Sequence, residues 1–186
     1  MSQRKLFGDE PEIINEIPLS EATKISEKVL SIVSKTLNPC EIVGSVRRRR
    51  PICHDIDVLG VGDLYDAVRE LRKNFKVAIK EKGPKITKLY INADIGNVQV
   101  DLYATSAETF GLMKIIRTGS ADHNIWLNNY ARKNGFRIKY SEGLLKNNKP
   151  VAGETEEGVF EALGLKTPKP EEREIVDGKP IWFSLE

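Results

Sequence analysis

The side chains best equipped for chemistry in this chain are carboxylates, and they recur in a pattern. Asp55-Ile56-Asp57 opens an apolar run through Val58, Leu59 and Val61. Side chains alternate faces along a strand, so Asp55 and Asp57 share one face while Ile56 and Val58 point to the core. Two like charges on one face repel unless something cationic sits between them. A third acid, Asp101, lies in Val98-Gln99-Val100-Asp101-Leu102, where the three apolar residues face one way and Asp101 the other. If that strand neighbours the first, three carboxylates converge. All-oxygen ligation suits Mg²⁺ or Mn²⁺, and three carboxylates can hold two such ions around one substrate oxygen. The alternative is three unrelated surface acids, or acids paired with lysine.

Ten residues before the acid pair lies Gly44-Ser45-Val46-Arg47-Arg48-Arg49-Arg50. A strand that ends in Gly-Ser and turns sharply offers backbone N–H groups and a hydroxyl to an anion. The arginines beyond it supply planar forks for phosphate oxygens. Alone, the run reads equally well as a solvated basic turn or a nuclear-localisation-like cluster. Combined with the three acids, it fits a metal-bound triphosphate. Two cysteines, Cys40 and Cys53, and two histidines make neither a disulfide framework nor a convincing zinc site, so any metal must be held mainly by carboxylates.

These residues need elements to position them. The chain has 186 residues, 40% hydrophobic and 30% charged, enough for one packed domain or a domain with a small lobe. No apolar run is long enough to span a bilayer, and Met1-Ser2-Gln3-Arg4-Lys5 leads into no hydrophobic stretch, so the expectation is a soluble, cytoplasmic protein. Net charge is only +2, but it is uneven: 8 basic against 3 acidic residues over 106–149, and 4 against 9 over 150–186. A basic middle beside an acidic tail suggests one face for a polyanion; a solvated helix face is the plainer alternative.

Residues 1–17 read as an extended arm. Apolar residues at Ala22, Ile25, Val29, Ile32, Val33 and Leu37 have helical spacing, with Ser20 as N-cap and Asn38-Pro39 as terminator. Strands are expected at 41–43 and 55–61, a helix capped by Asp63, then a meander over 76–80, 85–92 and 97–104. Beyond Thr105 the spacing predicts a helix over 106–116, a break at Thr118-Gly119-Ser120, a second helix from Ser120 to about Ala131, and a small hairpin of 136–140 with 143–146. A short helix over 155–163 follows, then an irregular tail. The expected architecture is α+β: a mixed or antiparallel sheet with helices on one face, residues 1–105, followed by a small α+β lobe, 106–186.

The motifs together resemble the nucleotidyltransferase palm of family X (polymerase beta-like) DNA polymerases. The resemblance rests on Ile17-Pro18-Leu19-Ser20-Glu21-Ala22-Thr23, on Gly44-Ser45-Val46-Arg47-Arg48 before Asp55-Ile56-Asp57, and on Val100-Asp101-Leu102. It continues in Thr118-Gly119-Ser120-Ala121-Asp122-His123-Asn124, Asn134-Gly135-Phe136, Glu154-Thr155-Glu156-Glu157 and Pro170-Glu171-Glu172-Arg173, which look like the nucleotide-selecting lobe. It implies that Asp55 and Asp57 bridge two metal ions, Mg²⁺ or alternatively Mn²⁺, and that Asp101 joins them and helps activate a primer 3′-hydroxyl. Gly44, Ser45 and Arg48 would bind the nucleotide's phosphates. Gly119 and Ser120 would form a tight turn under the incoming sugar, a cis peptide in some relatives, and Asn124 would approach the base.

Several positions depart from the family pattern. Ile116-Arg117 stands where an aromatic pair is common, which leaves selection between deoxy- and ribonucleotides open. Ala121 is short where relatives pack on the base, and Asn128 replaces a basic residue. Trp126 reads as core or as a stacking platform, and His54 and Cys53 as loop fillers. The resemblance begins near Ile17, so neither a lyase domain nor a helix-hairpin-helix domain is expected. It implies a monomeric DNA-directed DNA polymerase acting on primed or gapped DNA with dNTPs, in repair. A template-independent or RNA-directed nucleotidyltransferase shares the fold and metal site, and an idle nucleic-acid-binding module is the alternative outside enzymes.

Overall fold

The computed structural model describes residues 13–183; the first twelve residues of the expected arm lie outside them. In chain order the elements are β1 (Ile17–Pro18), α1 (Leu19–Val33), β2 (Leu37–Ile42), α2 (Gly44–Arg47), β3 (Ile52–Cys53), β4 (Ile56–Gly62), α3 (Leu64–Arg72), β5 (Val77–Glu81), β6 (Ile86–Ala93) and β7 (Gly96–Thr105). After a 3₁₀ turn at Ala107–Thr109 come α4 (Phe110–Thr118), α5 (Ala121–Lys133), β8 (Phe136–Lys139), β9 (Gly143–Lys146), β10 (Lys149–Ala152) and α6 (Glu156–Ala162). A second 3₁₀ turn, Pro170–Glu172, precedes β11 (Ile175–Val176) and β12 (Lys179–Pro180). The architecture is α+β. It divides into two compact units, one running to Ile42 and resuming over Pro51–Ala104, the other formed by Val43–Arg50 and the chain from Thr105 onward. No helix among the described residues is long and apolar enough to cross a membrane.

The first unit is a five-stranded sheet in the order β2-β4-β7-β6-β5. β4 is interior and buried almost throughout, with Ile56, Val58 and Leu59 fully covered, which is why it reads as a continuous apolar run apart from its acids. α1 packs on β2, β4 and α3 through Ala22, Ile25, Val29, Ile32 and Val33. Ser20 does not cap α1. The helix starts at Leu19 behind Pro18, and the Leu19 N–H is taken by the Pro51 carbonyl at 3.0 Å, so a side-chain cap is not needed there. The strand expected at 41–43 begins earlier. β2 runs from Leu37 through Pro39 along the sheet edge, with a register shift between Leu37 and Cys40, an arrangement that accommodates a residue without an N–H to donate.

The second unit is built on a three-stranded antiparallel sheet, β10-β9-β8, and on α4, α5 and α6. Leu112, Ile115, Leu127, Ala131, Leu144, Val159, Phe160 and Leu163 form its core, each large side chain stabilising by about 1.5–3 kcal/mol. Gly111 lets α4 approach the backbone before α6, since a Cβ there would lie 2.1 Å from the Thr155 carbonyl carbon. β10 was not expected from the sequence because Pro150 interrupts it; it is an edge strand, where proline is tolerated. Asn147 and Asn148, both at positive φ, make the two-residue turn before it. The predicted helix over 106–116 is split into the 3₁₀ turn and α4, and the tail contains the short β11–β12 hairpin. Trp126 is partly buried and stacks on Tyr130, ring centroids 5.1 Å apart, with Phe183 at 4.9 Å.

Buried ions organise this unit. Glu156, 4% exposed, accepts from Arg47 Nη1 at 2.8 Å and Nη2 at 2.5 Å, and from Arg173 Nη1 at 2.8 Å. Arg173 is wholly buried and also donates to the Pro168 carbonyl at 3.2 Å, while Arg47 donates to Thr118 Oγ1 at 2.7 Å. Burial alone would raise the Glu156 pKa, but hydrogen bonds from Arg47 and the charge of Arg173 override it and hold it at about 2. That folded value lies below the ordinary one. The stabilisation is therefore complete above about pH 4.5 and fades as pH falls toward 2. Glu156→Ala should cost about 3–5 kcal/mol by leaving the buried Arg173 and the largely covered Arg47 without their carboxylate partner. Urea denaturation at pH 7 measures this, and a loss below about 1 kcal/mol would show that the network contributes little.

Candidate active site

The alternation of β4 and β7 brings the three acids of the first unit together. Asp55, just before β4, Asp57 in β4 and Asp101 in β7 each offer a carboxylate oxygen, and these oxygens lie within 4.8 Å of one another. Asp57 and Asp101 are buried, while Asp55 is half-buried. Hard oxygen donors, like-charged and gathered on neighbouring buried strands, are a set that fits Mg²⁺ or Mn²⁺.

Their electrostatics point the same way. Burial, then the charges of Asp55 and Asp101, push the Asp57 pKa up to about 7, against a hydrogen bond from Tyr103 and the charge of Lys88. Asp55 is raised as well, by burial first and by Asp101 next. Three neighbours moderate the repulsion. Tyr103 donates from its hydroxyl toward Asp57 Oδ1 at 3.1 Å and Asp101 Oδ2 at 3.3 Å. Gln99 Nε2 donates to Asp101 Oδ1 at 2.8 Å, and Lys88 Nζ lies 3.0 Å from Asp101 Oδ2. Sequence reasoning overlooked all three. The alternation that placed Asp101 also places Gln99 and Tyr103 on its face, so that signal was available; Lys88 depends on the β6–β7 register, which pairs it with Asp101. His54 has a local partner, its Nδ1 donating to the Asn15 carbonyl at 2.5 Å.

The other singled-out residues belong to the second unit. Gly44, Ser45 and Arg47 form the short helix α2, where the sequence suggested a turn, and Gly44 has φ +67°. Ser45 Oγ is buried without a hydrogen-bond partner. Arg48 donates to the Thr118 carbonyl, and its Nε lies 3.6 Å from Glu174 Oε1. The Gly119–Ser120 peptide is cis, and Gly119 has φ +76°, with space there for a Cβ only 3.0 Å from Arg48 Nη1. Ser120 caps α5 by accepting from His123 N at 3.3 Å, and its hydroxyl donates to the Arg173 carbonyl at 3.1 Å. Asn124 Nδ2 donates to the Ile116 carbonyl at 2.7 Å, leaving its Oδ1 buried without a partner.

Comparison with known proteins adds three findings. Residues 114–174 match a family model described as DNA polymerase beta thumb. The chain is 33% identical over 87 residues to DNA polymerase IV of Saccharomyces cerevisiae, a match covering 46% of this chain and 15% of that protein's length. Its fold is similar to that of Leishmania infantum polymerase beta in a ternary P/T complex, with TM-score 0.75, 21% identity, and coverage of 92% of this chain and 80% of the other.

The repulsion among the acids has a measurable sign. Because the folded pKa of Asp57 lies above its ordinary value, ionising it costs stability in the metal-free chain. The cost is full above about pH 7, shrinks below that, and disappears near pH 4. Asp57→Asn in EDTA should therefore be more stable than the parent at pH 8, by on the order of 1–4 kcal/mol, with the difference vanishing near pH 4. Thermal melts across this range test it, and a pH-independent difference would count against a strained carboxylate.

Proposed function

We propose that this chain, whose fold is similar to that of polymerase beta and whose residues 114–174 match a DNA polymerase beta thumb model, is a DNA-directed DNA polymerase of the family X type. It transfers a nucleotidyl group from a dNTP to a primer 3′-hydroxyl, filling short gaps in DNA repair. The observation that carries this reading is the convergence of Asp55, Asp57 and Asp101.

In the reaction, the primer oxygen forms a bond to the α-phosphorus, the bond from that phosphorus to the bridging oxygen breaks, and pyrophosphate leaves. Asp55, Asp57 and Asp101 would hold two divalent cations, which when bound supply charge neutralisation and Lewis acidity. Asp101 helps activate the primer hydroxyl, kept in its rotamer by Gln99 and Tyr103. Gly44, Ser45 and Arg48 bind the phosphates, with Arg48 exchanging its distant contact to Glu174 for phosphate oxygens. Ser45 Oγ, which has no partner in the structure, is a donor ready for such an oxygen. Gly119 and Ser120 contact the sugar and Asn124 the base edge. Ile116 and Arg117, in place of an aromatic pair, leave sugar selection open and keep template-independent or RNA-directed transfer as the second reading.

Primer extension on single-stranded, primed and gapped DNA, with each dNTP and rNTP offered separately, tests both readings. Incorporation that follows the template base is expected; untemplated addition would select the second reading, and no addition on any substrate would defeat both. Asp101→Ala should reduce extension to the enzyme-free background while leaving the melt cooperative. Arg48→Ala should raise the KM for dNTP by about 10- to 100-fold, the range for a lost charge-assisted contact. An unchanged KM would remove Arg48 from the phosphate site.

A further inference from the structure

Lys88 is the ammonium that stands against the carboxylate cluster, and the proposed reaction gives it no task. It stands on β6 directly across from Asp101 on β7, with Nζ 3.0 Å from Asp101 Oδ2. The Asp101 side chain is 2% exposed, whereas Lys88 keeps 32% of its side chain open to solvent. Both oxygens of Asp101 are engaged: Oδ1 accepts from Gln99, and Oδ2 from Tyr103 and Lys88. Gln99 and Tyr103 are neutral and can stay beside a bound cation. An ammonium cannot do so without repulsion, and it takes up the carboxylate charge that a cation needs.

We propose that Lys88 is the resident counter-ion of the cluster, competing with the divalent cation for Asp101 and so setting the cation concentration at which the site fills. The proposal rests on the reading of Asp55, Asp57 and Asp101 as metal ligands. The long flexible stem and partial exposure of Lys88 give its ammonium a route into water once a cation arrives. As a lysine ammonium it is a full positive charge at neutral pH. In the cation-free chain the same ammonium, 3.0 Å from Asp101 Oδ2, opposes the repulsion among the acids. A cation must therefore displace a favourable contact before it gains its own.

The test is Mn²⁺ binding to the whole chain, read by the electron paramagnetic resonance of free Mn²⁺. The parent should bind and Asp101→Asn should bind weakly. Lys88→Met and Lys88→Gln should each bind Mn²⁺ about three- to tenfold more tightly, the scale of one lost like-charge interaction at a partly exposed site. Lys85→Met, which removes an exposed charge nearby in the chain, should stay within about twofold of the parent if the effect is local. In the unmutated chain, the Lys88 Nζ resonance should shift toward that of a solvated lysine as Mg²⁺ is added. If Asp101→Asn weakens binding but both Lys88 variants bind no more tightly than the parent, or if the Lys88 signal ignores Mg²⁺, competition is overturned. If the parent itself binds no Mn²⁺, the metal reading falls and takes this inference with it.

Discussion

A carboxylate held away from water must find positive charge, hydrogen-bond donors or a proton, and each unit of this chain is organised by that demand. Around Glu156 the demand is more than met. Two guanidiniums contact its oxygens and the Lys114 ammonium lies 3.9 Å away, so the acid stays ionised with its pKa at about 2. Around Asp55, Asp57 and Asp101 it is not met, since one ammonium faces three carboxylates and Asp57 is pushed up to about 7. The first arrangement fixes structure. The second leaves an appetite for cations.

The strain among the three acids cannot relax away, because the strands that carry them are committed to the core. Ile56 and Val58 on either side of Asp57, and Val100 and Leu102 on either side of Asp101, are fully buried. Turning a carboxylate outward by a one-residue slip would expose the apolar neighbours instead. Fold stability and site preorganisation are thus one fact seen from two faces of the strand. Gln99 and Tyr103, two residues before and after Asp101, use the same alternation to reach its oxygens and fix the rotamer.

That alternation explains what could be read from the sequence. Period-two patterning gives the strand, the shared face of Asp55 and Asp57, and the orientation of Asp101, and helical spacing gives α1, α3 and α5 within a few residues. What local pattern cannot give is register and long-range pairing. Lys88 meets Asp101 only because β6 and β7 pair as they do. Glu156 has the sequence signature of an exposed first-turn acid beside Glu157, yet it is buried because Arg47 and Arg173, 109 and 17 residues away, converge on it. Pro39 and Pro150 read as breakers, and both lie in edge strands, where proline is tolerated.

The four consecutive arginines show how one compositional signal divides into different roles. Because α2 is a single helical turn, adjacent side chains leave it in different directions. Arg47 turns inward to Glu156 and the Thr118 hydroxyl, whereas Arg48 reaches the Thr118 carbonyl at the C-terminal end of α4, where a cation is favoured. Arg50 instead approaches Glu174 at 3.4 Å. The break between α4 and α5 is consequently held from two sides, by the Arg48 side chain at Thr118 and by the Arg173 carbonyl at Ser120. The charge run is neither a uniform solvated face nor a uniform phosphate cradle. Its first member belongs to the buried ion network and its second stands at the helix break, so one run of like charges is divided between two distinct structural tasks.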